Sequence, residues 1–229
     1  GQLGLPVGKV IQDIKKLVEI AKDKNPDVLF HTDAVDALGR IPFNVEKLEV
    51  DLATFSSHKC FGPKGVGALY VREGVKLEPV LQGQLSTQKL WPGVENVPAI
   101  VGFAKAVEIL RKNFDLFVSK MRRFRDMLIS GIMESVNYVI VNGPLGDRRA
   151  PDNVNISFLF CEGEAITVEL SLRGIYVSSG SACTTRTLEP SHVLLALGRM
   201  YEEAHGSILM KLSPMHTEED IRYVLYHIP

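Results

Sequence analysis

The stretch that most restricts the fold is Phe55–Gly67, FSSHKCFGPKGVG. An apolar β-type run, Val50–Phe55, broken only by Asp51, leads into it, and a second apolar run, Val66–Val71, leads out. Gly-bounded turns between two such runs read as strand, loop, strand, and Lys59 falls just past the end of the first strand. Lysine is seldom fully buried. Where its amine is partly desolvated beside other polar groups, the neutral form becomes accessible and condenses with a carbonyl compound as a Schiff base. Serine and histidine, here Ser56, Ser57 and His58, supply donors suited to a phosphate or a ring oxygen. Taken alone, Lys59 and Lys64 read more simply as solvated lysines around a Gly/Pro turn.

The flanking sequence gives that turn a setting. Val10, Ile11, Ile14, Leu17, Val18 and Ala21 follow the spacing of one buried helix face, and Pro26 ends it. Val28–His31 reads as a short buried strand with Asp33 at its carboxyl end, Val50–Phe55 as a second and Ala68–Val71 as a third. A helix followed by apolar strands predicts a layered α/β sheet of mixed strand direction. In open α/β sheets ligands sit outside the carboxyl ends of parallel strands, where both Asp33 and Lys59 fall. From Val97 the apolar spacing predicts one long helix reaching Met133, crossing from one domain to the next. Strands at Tyr138–Val141 and Val154–Phe160, a helix at Glu164–Leu172 and a strand at Ile175–Ser178 follow. A helix near Ser191–Leu197, a strand at Ile208–Leu212 and a last helix, its start marked by Thr217 and Asp220, complete the chain. Alternating strands and helices here indicate a second, smaller α/β or α+β domain beginning somewhere in the long helix.

Composition excludes several classes of function. A net charge of -1 provides no field for nucleic acid or an anionic membrane. No apolar run reaches the length of a membrane-spanning helix. The opening residues, GQLGLPVGKV, lack the basic-then-apolar order of a signal peptide. Three cysteines at wide, irregular spacing suit neither a disulfide framework nor a zinc site, and the expected compartment is a reducing cytoplasm. Cys60 and Cys161, each beside a phenylalanine, read as inert buried thiols. Cys183 differs, because it lies in a loop of small residues, Ser178–Thr185, SSGSACTT, where a thiolate is free to swing. Asp33 has three readings: a cap for the following turn, half of a metal pair with His31, or a carboxylate that keeps a pyridine nitrogen protonated. Two ligands make no metal site, and His31 is taken as structural.

Taken together, HTDA at His31–Ala34, SSHK at Ser56–Lys59, GPKGVGALYV, ENVPAIVGF at Glu95–Phe103, Asp152–Asn155, EGE at Glu162–Glu164 and SSGSACTT with the later LEPSHVLLALG resemble the NifS/IscS-type cysteine desulfurases. These are pyridoxal-phosphate enzymes of the class V aminotransferase fold. The likeness runs through nearly the whole chain, in order and spacing. It implies an α/β fold comprising the carboxyl-terminal part of a large PLP-binding domain, 1–108, and a small domain carrying a mobile cysteine loop, 109–229. It further implies that Lys59 carries pyridoxal 5'-phosphate as a Schiff base, that Asp33 pairs with the pyridine nitrogen, and that Ser56 and His58 bind the phosphate. Cys183 would accept sulfur from L-cysteine as a persulfide and leave alanine. A homodimer, and an iron–sulfur scaffold or other sulfur acceptor as partner, follow from the same likeness.

Several positions depart from the family pattern. The resemblance implies a further amino-terminal part, with its own phosphate loop, ring-stacking histidine and ring-oxygen asparagine, outside this sequence. Asp36 stands where a glutamine usually meets the ring oxygen, Trp91 where an arginine is usual, and Val94 where a threonine reaches the partner subunit's phosphate. Leu209 takes the place of an arginine that binds the substrate carboxylate. Each change removes a charge-assisted bond of roughly 1.5–3 kcal/mol. The alternative function is therefore a non-catalytic relative that binds a partner or carries sulfur. Retention of Lys59, Asp33 and Cys183 together favours the enzyme.

Overall fold

The computed structural model describes residues 10–83, 90–179 and 191–229. It divides into two compact units, one of residues 13–113 and one of residues 114–229 joined by 10–12.

In the first unit, α1 (Ile14–Lys24) starts at Asp13, whose side chain accepts from the Lys16 amide, and ends at Asn25. It buries Ile14 and Val18 against Ala34, Ala37, Val50 and Ala53. The sheet is β1 (His31–Asp33), β2 (Leu52–Ser56) and β3 (Gly67–Val71), in that order, with a one-turn helix, α2 (Val45–Leu48), between β1 and β2. β1 runs parallel to β2, with Asp33 opposite Thr54, and β3 runs antiparallel to β2. The sheet is thus mixed, and the two loops expected to carry ligand contacts leave the same end of neighbouring parallel strands. β1 lies further along the chain than hydropathy predicted. Its residues His31, Thr32 and Asp33 are polar, and the strand is set by pairing with β2 while Thr32 is fully buried.

Asp51, the polar break in the second apolar run, is a strut. It is 4% exposed, accepts from the Phe30 amide at 2.8 Å, and faces Lys22 at 3.1 Å and Arg72 at 3.5 Å. Burial pushes its carboxyl up, but the Phe30 amide, Lys22 and Arg72 together outweigh burial and hold it below the ordinary value.

The long helix is two helices. α3 (Val97–Lys112) ends where the Asn113 side chain takes the Ile109 carbonyl at 2.9 Å, and α4 (Phe114–Ser135) begins at the next residue. Asparagine competes for backbone hydrogen bonds, which ends the helix although the apolar spacing continues on both sides.

The second unit is an antiparallel sheet of β4 (Val139–Val141), β5 (Asn153–Phe158), β7 (Ser207–Lys211) and β6 (Ser178–Ser179), in that spatial order. Its helices are α4, α5 (Gly163–Leu172), α6 (His192–Ala196), α7 (Tyr201–His205) and α8 (Glu218–His227). Val154, Ile156, Phe158, Ile208 and Met210 pack with Met121, Phe124, Leu128 and Ile132 of α4 and Ile221 of α8. The intervening strand residues Asn155, Ser157 and Ser207 are fully buried as well. Asn142 bridges Asn155 and Ser157 at 2.7 and 2.8 Å, and Arg199 donates to the same Asn142 side chain at 2.9 Å. Two buried arginines bracket the β4–β5 hairpin: Arg149 donates to the carbonyls of Pro144 and Asn142, and Arg125 to that of Arg149. Burial, reinforced by the charge of Arg125, lowers the Arg149 pKa to about 10.

Candidate active site

Lys59 sits in a single 3₁₀ turn, Ser57–Cys60, closed by the amides of Phe61 and Gly62 on the Ser57 carbonyl. The base of the loop is pinned by the Ser57 amide on Val66, one step beyond the last β2–β3 pair, Ser56 with Gly67. Cys60 points inward, 1% exposed, with its thiol on the Ser57 carbonyl at 3.2 Å. Burial pushes this thiol up, against an opposing pull from Arg40. An inward Cys60 leaves its neighbours His58 and Lys59 facing out, both exposed. Phe61 takes a left-handed φ of 66° to end the turn. After it, Gly62 lies against Ala106 and Pro63 against Gly102, so α3 backs the loop.

Ser56 Oγ and His58 Nδ1 are 2.8 Å apart, forming one hydroxyl–imidazole pair beside Lys59. Asp33 Oδ1 accepts from the Val35 amide at 2.9 Å. The turn-capping reading is therefore correct for one oxygen, and the cap fixes the carboxylate at the mouth of β1. Asp36 follows in the same loop, partly buried. The first unit thus brings Asp33, Asp36, Ser56, His58 and Lys59 to one end of the parallel pair β1–β2. An amine, a carboxylate and a hydroxyl–imidazole pair are the donor set that a phosphorylated pyridine aldehyde needs, and in that sense these residues fit one.

Cys183 lies outside the described residues; the flanking residues are Ser178–Ser179 of β6 and the buried Ser191 before α6. Leu209 pairs with Asn155 on one side and Ser178 on the other. Cys161 corrects an expectation. It is exposed, because Phe160 takes a φ of 64° after β5 and turns the chain outward, leaving Phe160 itself 91% exposed. An adjacent phenylalanine is no sign of burial where the strand has already ended.

Residues 7–224 match the family model for the class-V aminotransferases. The chain belongs to that family. Class-V aminotransferases are generally pyridoxal-phosphate dependent. Among curated relatives, cysteine desulfurase IscS of Clostridium botulinum is 43% identical over 220 residues, 96% of this chain and 55% of that protein. IscS 1 of Archaeoglobus fulgidus is 44% identical over 219 residues, 96% of this chain and 56% of that protein. Of solved structures, a NifS-like protein matches with a TM-score of 0.89 at 37% identity, over 98% of this chain and 58% of that one. The α/β fold is that of the NifS-like class-V enzymes, and the chain spans about half the length of the curated relatives it matches. Among the described residues, no helix is long and apolar enough to cross a membrane.

Proposed function

We propose that this chain carries the cofactor anchor and the sulfur-accepting thiol of a cysteine desulfurase, with Lys59 as the anchor of pyridoxal 5'-phosphate and Cys183 as the thiol. The observation that carries the reading is the shared exit of Asp33 and of the Ser56–Lys59 turn from adjacent, parallel strands. When bound, the cofactor supplies an electron sink that weakens the bond between the substrate's β-carbon and its sulfur. The Lys59 amine links covalently to it. The Asp33 carboxylate, steadied by the Val35 amide, holds a proton on the ring nitrogen. Ser56 and His58 bind the phosphate, and Asp36 lies at the position that faces the ring oxygen, where its carboxylate accepts but does not donate. The Cys183 thiolate takes sulfur from L-cysteine, forming a persulfide on Cys183 and releasing alanine.

In this reading 1–108 belongs to the large cofactor domain, 109–229 forms the small domain with the cysteine loop, and the working form is a cytoplasmic homodimer that passes sulfur to an iron–sulfur scaffold or another acceptor protein. Similarity to proteins named cysteine desulfurase supports the substrate.

Titrating the protein with pyridoxal 5'-phosphate should raise a visible absorption band that Lys59→Ala abolishes completely. Incubation with L-cysteine should then add one sulfur at Cys183, read by peptide mass spectrometry, and Cys183→Ser should lose that sulfur while keeping the band. A band that persists in Lys59→Ala, or sulfur found on the exposed Cys161 instead, defeats the proposal.

A further inference from the structure

The loop that carries Asp33 is tied to the turn that carries Lys59 by a side chain outside the proposed cofactor contacts. Arg40 is 7% exposed, and its Nη1 donates to the main-chain carbonyl of Lys59 at 2.7 Å. Two features aim it there. Gly39 has φ +76°, and its backbone lies so close to the Leu110 side chain that an added Cβ would stand 2.7 Å from a Leu110 methyl. The Ala37 carbonyl then accepts from the amides of Arg40 and Ile41, at 3.0 and 3.1 Å, which fixes the last turn of the loop. The hydrogen bonds internal to the lysine turn close on the Ser57 carbonyl, and the carbonyl of Lys59 itself goes to Arg40. A buried guanidinium is costly unless its donors are used, so its place beneath this turn is specific.

We infer that Arg40 is a positioning residue for Lys59: it grips the lysine's main-chain carbonyl from the Asp33 loop and keeps the two loops in one spacing. The inference rests on Lys59 being the cofactor anchor, and the role is mechanical, exerted through the lysine's main-chain carbonyl. The cationic pull of Arg40 on the neighbouring Cys60 thiol accords with this placement.

Two readouts on the whole protein test it, each comparing Arg40→Ala and Arg40→Lys with the native chain. The first needs no ligand: hydrogen exchange at the Phe61 and Gly62 amides. Exchange there should quicken about tenfold in Arg40→Ala, the size expected for one lost charge-assisted bond, and return towards native in Arg40→Lys, whose ammonium can also donate to a carbonyl. The second is reductive labelling with pyridoxal 5'-phosphate and cyanoborohydride, scoring Lys59 against the loop residue Lys64 by peptide mass spectrometry. The Lys59-to-Lys64 ratio should drop about tenfold in the alanine variant and recover in the lysine variant. A merely structural role would loosen 13–113 evenly and leave the ratio unchanged; that pattern, in whichever variant folds, overturns the inference. If native Lys59 labels no better than Lys64, the cofactor reading fails, and exchange at Phe61 and Gly62 alone decides whether Arg40 holds the turn.

Discussion

In residues 114–229 a four-stranded sheet shares one continuous core with α4 and α8, built from thirteen buried apolar side chains. Among the described residues of 13–113, the cluster around α1 and the sheet has six, two of them on α1 and none larger than isoleucine. Leu17, Ile20, Leu29, Ile100, Val101 and Ile109 of that unit stay exposed. The smaller apolar core is supplemented by two polar struts: Asp51, on the Phe30 amide, and Arg40, on the Lys59 carbonyl. The unit of residues 114–229 combines the larger apolar core with its own buried ties, Arg125, Asn142 and Arg149. Apolar packing resists local opening, whereas a polar strut specifies a spacing and responds to pH.

Core truncation separates the two most widely. Ile156→Ala, fully buried in the larger core, should cost about 4 kcal/mol, and Ile14→Ala, 1% exposed in the smaller one, about 2 kcal/mol. Denaturant melts combined with unit-resolved hydrogen exchange measure both, and equal costs would break the contrast. Asp51→Asn should cost about 2 kcal/mol at neutral pH, the scale of a hydrogen-bonded charge. Because the carboxyl is held below its ordinary value, its stabilisation is fully present above that ordinary value and is lost as pH falls through the depressed folded one. Native and Asp51→Asn proteins should therefore converge in stability on acidification. A gap that stays constant with pH would remove Asp51 from its role. Smallest is Thr217→Ala, which deletes a reciprocal cap in which Thr217 and Asp220 serve each other's amides; the α8 end should loosen by about 1 kcal/mol, seen as faster exchange at Asp220.

The apolar runs on either side of the Ser56–Gly65 turn and the Thr217–Asp220 signature were legible because each is a local rule acting over a few residues. The break at Asn113 was not, since both helices keep the same apolar spacing and only the Asn113 side chain, returning to Ile109, ends the first. α2 and α7 were missed because four or five residues, mostly polar in TyrGluGluAlaHis at 201–205, give no periodic stripe. At the candidate site, Lys59, Ser56, His58 and Asp33 were marked by the family resemblance, since by type alone they read as a solvated loop lysine, its polar neighbours and a turn-capping carboxylate. Arg40 was not: one arginine after a glycine resembles any surface cation until the fold buries it. Asp51 could have been found, as a lone carboxylate inside an apolar run must be paired or neutralised.

Gly62 has no room to vary. Its Cα backs onto the hydroxyl of Ser57 and the methyl of Ala106, so one extra carbon would drive the hairpin tip away from α3 and carry the lysine with it. A library randomised at this codon and selected for coloured, cofactor-loaded protein should return glycine almost alone, whereas the neighbouring Lys64 codon should drift freely.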